Sequence, residues 1–258
     1  MKKLLTFGML TFSLLLTSPE ITDASNFEKI ETTRELHLEL KDKELVYLND
    51  EGLITVSDKF NKLKIDDMLA EEYKEVVNTL NSNINNGIIS LDKKLNVLPF
   101  EIEEVTDRVY KNDKKDVELK DNEFSTMATY LNAIHLVETN RDELVDQYNA
   151  VYSYSPRTAY SFSVGWWVGR VKEGGKWDYK SVSGFAPWYK TFSMRLYTGT
   201  EIHNSKWLGN YNYGYTGEFL FSKSILLAGG DAVSLGLNWT PDTQTVKNTI
   251  SRGYNDAN

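Results

Sequence analysis

The sequence predicts an α+β chain, mainly helical, in which an α-rich C-terminal module follows a helical module with one β-hairpin. Three observations lead there. Apolar residues recur at helical spacing over most of the chain, one pair of short alternating runs flanks a turn cluster, and Gly, Pro or Asn residues punctuate the ends.

Taken in order, Lys2 and Lys3 precede an uncharged, largely apolar run over residues 4–16. Pro19 and the small-residue positions Thr22 and Ala24 follow, so residues 1–24 read as a secretory signal peptide. The run is short of the roughly 20 residues that span a bilayer, so no stable membrane anchor is expected and the mature chain reads as secreted and extracellular. Over residues 44–56, Leu45, Tyr47, Leu53 and Thr55 alternate around Asn49-Asp50-Glu51-Gly52 and predict the hairpin. Met68, Leu69, Tyr73, Val76, Val77 and Leu80 make one apolar stripe that predicts a helix over 67–81, closed by Asn85-Asn86-Gly87. Residues 112–121 are charged and read as a solvated loop. A helix over 122–152 follows from Phe124, Met127, Leu131, Ile134, Val137, Leu144, Val145 and Tyr148. Ser155 and Pro156 mark a seam. Beyond it, Tyr160, Val164, Trp167, Val168 and Val171 predict a helix over 158–172 that ends at Gly174-Gly175. A short strand over 192–197 and a turn at Gly199-Thr200 come next. Two short helices broken near Ser222 and a last helix over 245–254, introduced by Pro241-Asp242, complete the chain.

The seam is also a boundary in composition. Residues 1–156 carry 18 Lys and Arg against 30 Asp and Glu, a charge of −12, whereas residues 157–258 carry 11 against 7, or +4. All six Trp lie in the second part. This divides the chain into 1–24, an acidic helical module 25–155, and a basic aromatic module 156–258. Opposite charges suggest that the acidic part docks on the basic one and masks its cleft until the two separate; an adaptor that merely carries the basic module is the alternative. With no cysteine among 258 residues, disulfide frameworks, thiolate nucleophiles and Cys-based zinc sites are excluded. In the acidic part, His37 and His135 read as surface or half-buried residues without a role in chemistry.

Three segments of the second part stand out together: Gly175-Lys176-Trp177-Asp178-Tyr179-Lys180, Gly209-Asn210-Tyr211-Asn212-Tyr213-Gly214-Tyr215-Thr216-Gly217, and Pro241-Asp242 with Ile250-Ser251-Arg252-Gly253-Tyr254. In order and spacing they resemble the polymorphic toxin type 44 domain family. Residues 197–202 are similar to the approach that precedes the family's second segment. The likeness covers roughly residues 162–254; Lys176 replaces a usual Pro, Asn212 a common His, and Asp242 alone stands for a more acidic run. What the resemblance implies is a secreted effector used against competing bacteria, paired with an immunity protein and cleaving RNA. Neither a cofactor nor a metal ion is called for, and nothing points to DNA sequence recognition.

The residues themselves leave alternatives open. Asp178, between Trp177 and Tyr179 and beside Lys180, reads either as a tuned acid–base group with its cation or as a helix cap. Asn210, Asn212, Tyr213 and Gly214 read as a phosphate-holding, base-stacking segment or as a steric glycine turn among core aromatics. His203 is the one histidine of the basic part and is the candidate general base; a polar loop residue is the alternative. Asp242, with Glu201, Glu218 and Asp231, could supply a paired acid and base on peptidoglycan instead. A non-enzymatic interaction protein on the same scaffold is the third reading.

Overall fold

A computed structural model describes residue 27 and residues 29–117, 129–238 and 242–258. The expected signal segment, Phe124, Met127, Trp239, Pro241 and the side chain of Asp231 lie outside the described residues. The architecture is α+β and mainly helical, as expected. Among the described residues there are eight α-helices: α1 (Thr33–Asp42), α2 (Asp67–Asn85), α3 (Ile102–Val117), α4 (Ala133–Tyr154), α5 (Pro156–Val171), α6 (Ser205–Gly217), α7 (Lys223–Asn238) and α8 (Gln244–Asp256). None among the described residues is long and apolar enough to cross a membrane.

The hairpin forms where the alternation places it. Strands β1 (Val46–Leu48) and β2 (Ile54–Val56) pair antiparallel with Tyr47 opposite Thr55. Asn49 Oδ1 accepts from the Glu51 and Leu53 amides, and Gly52 takes the positive φ (+78°) that closes the turn. Helix α2 buries the expected stripe, with Tyr73 and Leu80 fully enclosed. The expected loop over 112–121 is corrected as far as Val117, where α3 ends. Its Asp113 is buried because it faces the guanidinium of Arg170 at 3.3 Å, so that charge is paired inside the protein and not solvated. Helix α5 is buried on more than one face, since both α3 and α4 pack on it: Phe162, Gly165, Trp166 and Gly169 are enclosed, while Tyr160 is 51% exposed.

The expected helix over 122–152 is also corrected. Residues Thr129–Asn132 form β3, and the helix starts at Ala133, capped by Asn132. Strand β3 lies parallel to β4 (Thr191–Leu196), with Leu131 opposite Met194. Strand β5 (Gly199–Asn204) adds antiparallel on the other side, giving the order β3-β4-β5. The compositional seam at Ser155–Pro156 is therefore not a boundary in packing. One apolar cluster runs from Leu36, Tyr73 and Leu80 through Val151 to Trp166, Trp167 and Ile250. A second, smaller one joins Ala133 and Val137 of α4 to Phe192, Met194, Leu208 and Tyr211. Helix α4 belongs to both.

His37 is neither on the surface nor half-buried. It is 1% exposed, stacks on Tyr154 with ring centroids 3.7 Å apart, and shares a hydrogen bond between Nδ1 and the Tyr73 hydroxyl at 3.1 Å. Burial, helped by the charges of Lys41 and Arg34, lowers its pKa from 6.5 to about 3. The unfolded chain thus binds a proton below pH 6.5 that the folded chain refuses until pH is near 3, so stability falls as pH drops through this window. By pH 5 the loss is about 2 kcal/mol. Thermal melts at pH 7 and pH 5 should show a fall of several degrees attributable to His37, and His37→Phe, which keeps the ring stack, should remove that part of the slope.

Candidate functional site

In β5 successive side chains alternate, so Glu201 and His203 share a face, and Asn204 ends the strand by capping α6. The cap is explicit: Asn204 Oδ1 accepts from the Trp207 amide at 2.9 Å. That tight strand-to-helix corner brings the Trp207 indole flat against the His203 imidazole, with centroids 3.8 Å apart and planes within 8°. The four-residue step of α6 carries the stack onward, since Tyr211 lies 4.9 Å from Trp207 and Tyr215 lies 6.2 Å from Tyr211.

Helix α8 closes the arrangement with Arg252. Its guanidinium grips the Glu201 carboxylate through Nη2 on Oε1 at 2.7 Å and Nη1 on Oε2 at 3.0 Å, while standing 5.6 Å from the centre of the Trp207 ring. Thr198 Oγ1 donates to Oε1 at 2.7 Å, and His203 Nε2 lies 2.9 Å from Oε2. The bonds from Arg252, then those from Thr198 and His203, hold the Glu201 carboxyl far below the usual carboxylate range, and Glu201 in turn raises the pKa of Arg252. A carboxylate that stays ionised cannot donate, so Nε2 must carry the proton and Nδ1 is left as the basic nitrogen of the ring. Glu201 positions the histidine and moves no proton itself.

His203 opens on a groove of about 340 Å³ between β5, α6 and the first turn of α8. Asn210, Trp207 and Lys206 line it with threonines from β4 and α8; among the described residues its walls hold one lysine and no carboxylate. A larger concavity of about 750 Å³ beside the hairpin, with Lys41, Lys93 and Lys94 on its walls, contains no histidine and none of the motif residues.

Of the residues singled out from the sequence, His203 and Asn210 meet in the groove. The others have different tasks. Asp178 is buried and organises the turn after α5, its Oδ2 accepting from the Gly174 amide at 3.0 Å and from Ser181 Oγ at 2.8 Å, with Lys180 Nζ 3.4 Å from Oδ1. Trp177 is enclosed edge-on to Trp166 at 5.4 Å and stands beside Arg170. Tyr213 packs on Trp167 at 4.9 Å. Asp242 does not line the groove; it sits close to Gly230 of α7. Gly214 is the steric glycine, since a Cβ there would come 2.1 Å from the Ile250 carbonyl oxygen of α8. Asn212 is buried and accepts from Asn140 Nδ2 at 2.8 Å, and the same Nδ2 donates to the Tyr179 hydroxyl at 2.7 Å. The first two motif segments therefore do converge, but in the interior and around a side chain from the acidic half. Of the carboxylates a glycosidase would pair, Asp178 is committed to its turn and Glu218 to Arg141 at 2.9 Å. What sequence reasoning missed is Glu201, Trp207, Lys206 and Arg252 as partners of His203. The signal was present as Glu-x-His, four residues before a Trp, with an Arg in the last segment. No family model, curated protein or solved structure matches the chain.

Proposed function

We propose that the chain is an RNA-cleaving enzyme that works without a metal ion, with His203 as general base at the groove between β5, α6 and α8. The observation that carries this reading is the clamp of His203 by an ionised Glu201, itself fixed by Arg252, which leaves a basic imidazole nitrogen beside a groove whose one charged wall residue, among those described, is Lys206. In the reaction, Nδ1 takes the proton of a ribose 2′-hydroxyl as that oxygen bonds to phosphorus. The bond from phosphorus to the 5′-oxygen breaks, water protonates the departing oxygen, and a 2′,3′-cyclic phosphate remains. Lys206 offsets the charge that builds on the phosphate, and the positive end of α8 adds to it. The Thr and Asn side chains supply neutral donors for the phosphate oxygens.

The motif resemblance and the +4 charge of residues 157–258 support the same substrate class, and with residues 1–24 they support an exported effector kept in check by an immunity protein. The test incubates the full chain with total RNA in excess EDTA and, in parallel, with purified peptidoglycan. RNA cleaved to cyclic-phosphate ends is the expected result. Intact RNA at high enzyme concentration overturns it, cleared peptidoglycan would move the activity to the cell wall, and inactivity on both would make the chain an interaction protein.

A further inference from the structure

Immediately outside the groove, Trp188 and Tyr189 stand in solvent at 55% and 62% exposure, their rings edge to face at 5.4 Å. Exposed aromatics this large are costly to leave bare, and this pair is not on a loose strand of chain. The Trp188 carbonyl accepts from the Lys206 amide at 3.0 Å and the Lys190 carbonyl from the Ser205 amide at 2.9 Å, so the segment is pinned to the first turn of α6. Ser205 Oγ donates to the Phe185 carbonyl as well, fixing the far side. Lys206, whose amide holds Trp188, lines the groove, as does Thr191 two residues beyond Tyr189. Ile202 of β5, 70% exposed, lines the same groove.

We propose that Trp188 and Tyr189 are a stacking platform for the bases of single-stranded RNA that runs out of the groove, a reading that rests on the RNA-cleaving function above. Rings set perpendicular offer π-faces in two directions, so one base can lie on each. Stacking accepts any base, which suits an enzyme that reads the backbone rather than the sequence. Lys190 follows Tyr189 in the chain, with its Nζ on the Gly184 carbonyl at 2.6 Å, and Lys206 lines the groove, so a polyanion leaving the groove meets positive charge. A duplex keeps its bases stacked internally and cannot use the platform, so the preference is for unpaired RNA.

The experiment measures binding apart from cleavage. The full chain is titrated against a fluorescently labelled 2′-O-methyl uridine oligomer, which has no free 2′-hydroxyl to react, at low salt. Trp188→Ala and Tyr189→Ala should each weaken binding about tenfold, and Trp188→Phe should restore most of the loss. Unchanged affinity in both alanine variants overturns the platform while leaving the cleavage reading intact. Ordinary RNA left intact by the unaltered chain overturns the cleavage reading, while the loss of binding in the two alanine variants still upholds the platform. Equal affinity for the same oligomer annealed to its complement, or tighter binding to peptidoglycan fragments, also overturns the proposal.

Discussion

Replacing His203 with alanine is expected to lower RNA cleavage by about 100- to 10,000-fold, with the melting temperature little changed. Among the described residues that line the groove, the imidazole is the group placed to take a proton, and Glu201 is locked in its ionised form by Arg252 and Thr198. Its structural contribution is modest: it is partly exposed, at the edge of a three-stranded sheet, and the Trp207 ring below it also stacks on Tyr211. Glu201→Gln should be damaging in a different way. The amide can still meet Nε2, but it no longer demands that Nε2 hold the proton, so the ring can present the wrong tautomer. The expected pattern is a fall in kcat with KM nearly unchanged, since neither the groove nor Lys206 is touched. Arg252→Lys should show the same pattern more weakly, because a point charge cannot reproduce two parallel hydrogen bonds. A His203→Ala chain that cleaves normally would sink the reading.

The second large effect is on stability. Gly214→Ala should destabilise the fold by about 3 kcal/mol or more, because the new Cβ would lie 2.1 Å from the carbonyl oxygen of Ile250 and backbone cannot rotate aside as a side chain can. Gly253→Ala meets the same obstacle from the other helix, at 2.1 Å from the Tyr211 carbonyl. Either change pushes α6 and α8 apart, and Arg252, next to Gly253, would be drawn off Glu201. A fall in melting temperature of about 6 to 12 °C is expected for a chain of this size. Gly209→Ala on the same helix is the contrast. Its Cβ would find its nearest neighbour at 3.9 Å, an ordinary contact, and should stabilise α6 by up to about 1 kcal/mol through its better helix propensity. If all three variants melt alike, the close helix crossing is not what the glycines are for.

The parts of the fold that could be read from sequence are those decided locally. The β1–β2 hairpin and α2 carry their own periodicity, turn residues and caps, and both form where expected. The misreadings have one cause, a partner far along the chain. Strand β3 looked like the start of a helix because Leu131 and Ile134 fit a helical stripe, but its partner β4 lies about sixty residues later. The end of α3 looked like a loop because its buried Asp113 is answered by Arg170. Strand β5 was hidden for the reason that makes it interesting: its inward positions are Glu201 and His203, which satisfy each other and Arg252 instead of burying apolar surface, so no alternation of hydrophobic residues marks it. Of the candidate site, His203 was legible as a lone histidine in a basic region, but its clamp was not, since Thr198, Glu201, His203 and Arg252 meet only when α8 packs on α6. The tyrosine- and glycine-rich segment was conspicuous for its composition, and its glycines mark where two helices touch.

The pairing of β3 with β4 bears on whether the C-terminal half could stand alone. An effector built as a detachable tip can be cut from its carrier and pass on alone, carrying its own core with it. Here a cut beside Pro156 would strip β4 of its neighbour and leave a raw row of amides and carbonyls along the sheet, the surface on which chains join one another. It would also remove Asn140, the side chain that ties Tyr179 to Asn212. The released piece would be a seed for aggregates, so the acidic half is part of what lets the basic half fold, and the two are built to persist as one body.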